Sequence, residues 1–171
     1  MGRVQNASGG GQAAAPARHD VEAVYRETAP ALARAIYAYS GGRRQIAEDA
    51  VAEAFARAIE HLEGIRAPVP WIYRTAFRLA TRELERERRP MPTEPDPVPG
   101  IDPFELQEVL AALSTLTHNQ RAAVLLHDEE GMTAPEVGRL LGMSAATVRV
   151  HLFRARKRLR ALLGPEEEHD G

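Results

Sequence analysis

Six prolines, at positions 90, 92, 95, 97, 99 and 103, fall between Arg89 and Phe104. Each fixes φ and removes an amide donor, so the segment is barred from helix and favours extended, semi-rigid chain. The chain is thereby cut into two parts. In both, apolar residues recur every three or four positions, and nowhere do β-branched residues alternate over the length of a strand. The expectation is an all-α protein of two small helical domains joined by a Pro-rich linker. Its divisions are a tail over 1–19, domains over 20–89 and 104–164, the linker over 90–103, and an acidic tail over 165–171. The first residues, rich in Gly, Ala and Ser, cannot bury enough surface to order themselves.

Several function classes are excluded early. The chain has no cysteine, which removes disulfides, thiolate metal sites and cysteine nucleophiles together. No apolar run approaches the ~20 residues that cross a bilayer, and no signal peptide opens the chain, so a cytoplasmic protein without membrane insertion is expected. His19, His61, His118, His127, His151 and His169 are scattered, and none shares a ligand spacing with carboxylates. No glycine loop is built to cradle phosphate, and no Ser or Thr has a recognisable general base. No metal, cofactor or catalytic residue is expected; the chain reads as a non-enzyme.

The formal net charge of −2 hides strongly separated blocks. Residues 91–116 hold five acidic residues and no basic one, and Glu166, Glu167, Glu168 and Asp170 follow Gly164. Between Val137 and Gly164 there is no Asp or Glu at all. Within this block Thr133 and Glu136 are spaced as a capping box, which starts a helix at Ala134, with Pro135 harmless in its first turn. Val137, Leu140 and Leu141 give the buried face, Gly142 ends the helix, and Ser144 caps the next. Gly138, Gly142 and Val148 fall at the tight-packing, turn and core positions of a helix-turn-helix. From Ala145 onward Val148, Leu152, Ala155, Leu159 and Leu162 form one inward stripe. The rest of the cylinder carries Arg149, Arg154, Arg156, Lys157, Arg158 and Arg160, a surface suited to phosphate.

In the first domain, Thr28 with Pro30 is read as the start of a helix ending at Gly41 and Gly42. A further helix spans about Arg44 to Leu62. Its apolar stripe is Val51, Phe55, Ile59 and Leu62, and Asp49, Glu53 and Glu60 lie opposite, with small Ala52 and Ala56 between them. After a loop, the helix beginning near Trp71 carries Arg74, Arg78, Arg82 and Arg86 at intervals of four. Each step advances about 40° around the axis, so the guanidinium groups share one face opposite the apolar one. Glu85 interrupts that face and is placed to pair with Arg82 or Arg78.

The order YRETAPALARAIYAYSGG, AEDAVAEAFARAIEHL, PWIYRTAFRLATREL, a proline-rich gap, and LSTLTHNQRAAVLLHDEEGMTAPEVGRLLGMSAATVRVHLFRARKRLRALL resembles the extracytoplasmic-function (ECF) group of the sigma-70 family of RNA polymerase sigma factors. The resemblance covers almost all of residues 20–163. It implies a domain 2-like helical bundle and a domain 4-like helix-turn-helix. It also implies promoter-specific initiation, with core RNA polymerase and promoter DNA as partners and an anti-sigma factor between the domains in many relatives. Asp49, Ala52, Glu53 and Phe55 correspond to the surface that meets the clamp helices of the largest polymerase subunit. Arg66 in the loop, with Arg74, Arg78 and Arg82, would face the minus-10 element. Arg121, Ser144, Ala145, Thr147, Arg149, His151 and Arg154 would face the minus-35 element, Arg121 through phosphate and Arg149 as the foremost base reader. The chain departs from the family pattern at Ala52, Arg78 and Arg82, where Gln, Asn and Asp are usual, and at Val150 and His151, where Ser and Arg are. Both element preferences should shift accordingly. An autonomous helix-turn-helix regulator, or a sigma-like decoy for an anti-sigma factor, are the alternatives.

Overall fold

A computed structural model describes residues 18–87 and 94–164. The N-terminal tail before Arg18, the first part of the linker and the acidic C-terminal tail lie outside the described residues. Helix α1 spans Arg18–Tyr39, α2 Arg44–Glu60 and α3 Pro68–Glu87, with a short 3-10 turn at Leu62–Gly64. After the linker come α4 (Pro103–Ser114), α5 (His118–Val124) continuing into a π turn at Leu125–Glu129, α6 (Ala134–Leu141) and α7 (Ala145–Leu163). No strand occurs among the described residues.

The first three helices pack through small residues. Ala35 on α1, Ala47, Ala50, Ala54 and Ala58 on α2, and Ala76 and Ala80 on α3 are all buried, which lets the backbones approach closely around Leu32, Ile36, Phe55, Ile72 and Phe77. Tyr39 sits edge-on to Phe77 with ring centroids 5.0 Å apart. The Thr81 hydroxyl donates to the Phe77 carbonyl, leaving its lone pair to accept from the Tyr39 hydroxyl at 2.6 Å. A buried phenol thereby keeps its partner.

Pro30 does not start a helix, contrary to the sequence expectation; it lies inside α1, twelve residues after its first. An interior proline costs about 3 kcal/mol. Burial of Val21, Leu32, Ala35 and Ile36 against α2 and α3 outweighs that penalty. Ile59 and Leu162, both expected in apolar stripes, are about half exposed at 47% and 50%. Each lies near the end of its helix, beyond the reach of the packing partner.

The second half follows its local signals closely. Asp102 caps α4 by accepting from Phe104 and Glu105, with Pro103 in the first turn. Thr117 with Gln120 and Thr133 with Glu136 form capping boxes for α5 and α6. Gly142 ends α6 in the left-handed region at φ 71°, and Ser144 caps α7 by accepting from the Thr147 amide at 3.1 Å. Val137, Leu140, Val148, Leu152 and Ala155 are buried between α6 and α7.

The described part of the linker is extended but anchored. Asp96 donates its amide to the Gly42 carbonyl at 3.0 Å and its carboxylate accepts the Arg44 amide at 2.8 Å. The Tyr37 hydroxyl donates to the Asp96 carbonyl, and Arg44 donates to that of Pro97. Buried residues of both halves form one continuous apolar cluster.

Candidate nucleic-acid interface

α7 presents the first candidate surface. Its stripe of Val148, Leu152 and Ala155 faces the core, which by helical geometry turns Arg149 and Arg154 outward. Ser144, Thr147, Arg149 and Arg154 are exposed, and Ala145 and His151 are partly so. These six expected contact residues therefore lie in the accessible N-terminal half of the helix, on both sides of its buried stripe. Arg156 lies two turns beyond Arg149 on the same side of the helix, where it forms a two-pronged ion pair with Asp128 in the π turn, at 3.2 Å for the Nε prong. That carboxylate pushes the Arg156 pKa up. Sequence reasoning gave Arg156 to phosphate or solvent and missed Asp128, because the pairing spans 28 positions. It also passed over Phe153, which is 69% exposed beside these arginines. Its signal was its register, one residue off the buried stripe.

Arg121 is a correction. It was expected at a phosphate, yet it is 5% exposed. Its guanidinium donates to the carbonyls of Leu113 at 2.9 Å, Ser114 and Leu116 at 3.2 Å, and Tyr39 at 2.8 Å. It also lies 5.7 Å from the Tyr39 ring centre. Burial pushes its pKa down from the usual arginine value, the Tyr39 hydroxyl opposing this. The planar fork matches carbonyls at the ends of α4 and α1, so four of its five N–H donors are spent inside and the cation is buried away from any DNA.

α3 carries the second surface. Arg74, Arg78 and Arg82 are exposed along one face, with Arg66 exposed in the preceding loop, which Ile65 anchors in the core. Arg78 and Arg82 have no ion-pair partner among the described residues. Glu85 does not pair with them; nearby acids serve elsewhere, Glu83 with Arg86 at 2.6 Å and Glu87 with Arg43 at 3.0 Å. Arg74 is engaged: it donates to the carbonyls of Leu140, at 3.3 Å, and Arg139. These belong to the last turn of α6, where carbonyls lack helical partners and a cation is favoured. A cavity of about 900 Å³ opens between the two halves there, lined by Arg57, Trp71, Arg74, Arg78, Arg82 and His118 among others.

On α2, Asp49, Ala52 and Glu53 are exposed together. Asp49 accepts from Gln45 at 2.8 Å, and Glu53 from Arg57 at 2.7 Å. Phe55 is not part of the accessible face: it is 3% exposed and edge-on to Tyr25, with centroids 4.7 Å apart. It supports that face from behind. No group of three or more acidic or histidine side chains among the described residues could hold a metal, and none of the described helices is long and apolar enough to cross a membrane.

An arginine-flanked helix-turn-helix and a separate cationic helix define a two-part helical protein. Comparisons narrow the class. The family profile for sigma-70 region 2 matches residues 24–90 and that for sigma-70 region 4 matches residues 106–159. The ECF RNA polymerase sigma factor SigE of Mycolicibacterium smegmatis is 31% identical over 90% of this chain, which spans 64% of that relative's length. Among solved structures, Bartonella quintana RpoE in complex with the anti-sigma factor NepR superposes with a TM-score of 0.73 at 22% identity, covering 86% of this chain and 98% of that one. CnrH in complex with the cytosolic domain of CnrY gives 0.68 at 28% identity, covering 86% and 89%. The chain belongs to the sigma-70 family of RNA polymerase sigma factors, in the extracytoplasmic-function group.

Proposed function

We propose that this chain binds core RNA polymerase and directs initiation at promoters through two DNA contacts, one from each half. The observation that carries this reading is the pairing of two separate cationic surfaces in one chain, on α7 and α3, each backed by its own buried stripe. In it, α7 enters the major groove of the minus-35 element, with Arg149 making two bonds to a guanine edge. Val150 and Phe153, both exposed, are suited to thymine methyl groups beside it. Arg66, Arg74, Arg78 and Arg82 meet the minus-10 strand. Extruding a base costs a few kcal/mol, which nearby cations and a shaped loop offset. Asp49, Ala52 and Glu53 offer the polymerase clamp helices a low, acidic face. The role is regulatory, not catalytic.

An anti-sigma factor is proposed as a further partner, since both superposed structures were solved with a second protein that binds the sigma factor or a domain of such a protein. Run-off transcription with purified core enzyme tests the central reading. Specific transcripts from genomic fragments, and promoter gel shifts that need core enzyme, are expected. Tight binding to a palindrome without polymerase would instead indicate an autonomous regulator.

A further inference from the structure

The cations of α7 outnumber what the fold uses. Arg156 is paired with Asp128, but Arg149, Arg154, Lys157, Arg158 and Arg160 are all exposed and have no carboxylate partner among the described residues. Several of them crowd one another. Arg154 lies three and four residues before Lys157 and Arg158, and Lys157 three before Arg160, spacings at which like charges repel along a helix. Beyond the helix the sign of the charge reverses. Gly164, at φ 81°, ends α7 with its amide on the Arg160 carbonyl, and Pro165 bars any continuation. Glu166, Glu167, Glu168 and Asp170 follow, with no Lys or Arg among them. Reach decides which cations these acids can meet. Extended chain advances ~3.3 Å per residue, which carries Glu166 to Asp170 about 7–20 Å from Gly164. Back along the helix, at ~1.5 Å per residue, Arg160, Arg158, Lys157 and Arg154 lie within about 15 Å, and Arg149 about 22 Å away.

We propose that residues 166–170 dock on the distal cationic face of α7 as a phosphate mimic, covering Lys157, Arg158 and Arg160, with Arg154 at the limit of reach and Arg149 left free. On the reading of α7 as the minus-35 helix, on which this docking rests, the distal cations serve phosphate. Carboxylate and phosphate oxygens accept the same charge-assisted hydrogen bonds, so one excludes the other at each cation. DNA must displace the tail before using that face, and every apparent affinity falls with the fraction of molecules in which the face is free. Binding to duplex of arbitrary sequence is almost wholly electrostatic, so the tail brings it below saturation. A promoter site, held in addition by Arg149 and by the polymerase, retains affinity in excess.

The test compares the full chain, the chain ending at Gly164, and a full-length variant with Glu166→Gln, Glu167→Gln, Glu168→Gln and Asp170→Asn. Fluorescence anisotropy on a labelled duplex of random sequence, without polymerase, gives the affinities. Both altered chains are expected to bind about tenfold tighter at low salt, the gain when a tail docked about nine-tenths of the time is removed. Their salt dependence should be steeper, because salt also loosens the tail of the full chain. A general effect of net charge is separated by a second set, in which Lys157→Gln, Arg158→Gln and Arg160→Gln accompany each form of the tail. Docking predicts that the tail then makes less than about a twofold difference, whereas long-range repulsion would act on either background alike. Equal affinities of the full and truncated chains, or an undiminished gain on the neutralised helix, would overturn the docking. If the three helix substitutions leave the truncated chain's affinity unchanged, the phosphate role of the distal cations fails and the docking with it. Failure of run-off transcription alone strikes only the initiation reading.

Discussion

Gly138 leaves almost no space between the two helices of the helix-turn-helix: a Cβ there would lie 2.5 Å from the Met143 carbonyl oxygen and 3.4 Å from the Ala145 amide nitrogen. Gly138→Ala must move backbone, and a loss of ~1–3 kcal/mol is expected from urea unfolding. Gly142→Ala meets nothing within 4 Å and is penalised only through its φ of 71°, so about 1–2 kcal/mol is expected there. The reverse ranking would contradict the close crossing. Arg121→Lys exchanges a planar fork bonded to four carbonyls for a compact ammonium that cannot span them. A destabilisation of about 1.5–3 kcal/mol is expected, with no direct loss of a DNA contact. A folded Arg121→Gln protein with a reduced salt slope for promoter binding would restore Arg121 to the phosphates. Arg149→Ala should relax selection at one minus-35 base pair by ~1–3 kcal/mol, whereas Lys157→Ala should weaken all sites alike and lower the salt slope by about one. Competition assays over single-base variants of one site, at several salt concentrations, separate the two.

Each helix of the second half ends and begins where its own residues dictate. In α6 the Glu136 carboxylate accepts both the amide and the hydroxyl of Thr133 at 2.7 Å. The Thr133 amide, then the Thr133 hydroxyl, hold the Glu136 pKa below the ordinary value of 4.5. A carboxyl whose folded pKa is depressed adds stability that is present above the unfolded value and is lost as pH falls through the folded one. The wild type should therefore lose stability relative to Glu136→Gln below about pH 4.5, with no difference in slope between pH 6 and 8; parallel acid curves would show that the box contributes nothing. Such elements were legible because a cap, a glycine and a periodic stripe act within one or two turns. The same logic placed Ser144 before α7 and Gly142 after α6. It failed at Pro30, where a strong local start signal lost to the tertiary packing of Val21, Leu32 and Ile36, which carries the helix through it. The apolar stripe placed Phe55 correctly in the core; it was the resemblance that set Phe55 on an accessible face and Arg121 at a phosphate, since neither a family position nor a helical wheel shows what lies against a side chain.

At the scale of the molecule, the proline-rich segment separates the helices without freeing them. Nothing in the side-chain pattern announced the closure, because the acceptors for Arg74, Arg121 and the Asp96 amide are backbone carbonyls, which every residue carries. What was legible was each cationic face; what was not is that one of them meets the other half of its own chain. The continuity of the apolar cluster across both halves has a thermodynamic consequence. If the halves unfolded independently, probes placed in each would give separate curves. Trp71 is the single tryptophan and lines the cavity between the halves, so its fluorescence reports on the junction, while far-UV ellipticity averages over all the helices. In urea the two signals should trace one transition with a common midpoint and slope. In Arg74→Ala the fluorescence should change first, because loss of the carbonyl contacts opens the junction before either helical half melts. Two transitions in the wild type would show that the contacts at Arg74 and Arg121 are too weak to couple the halves. One transition in both proteins would show that the Arg74 contacts contribute nothing to the coupling of the halves.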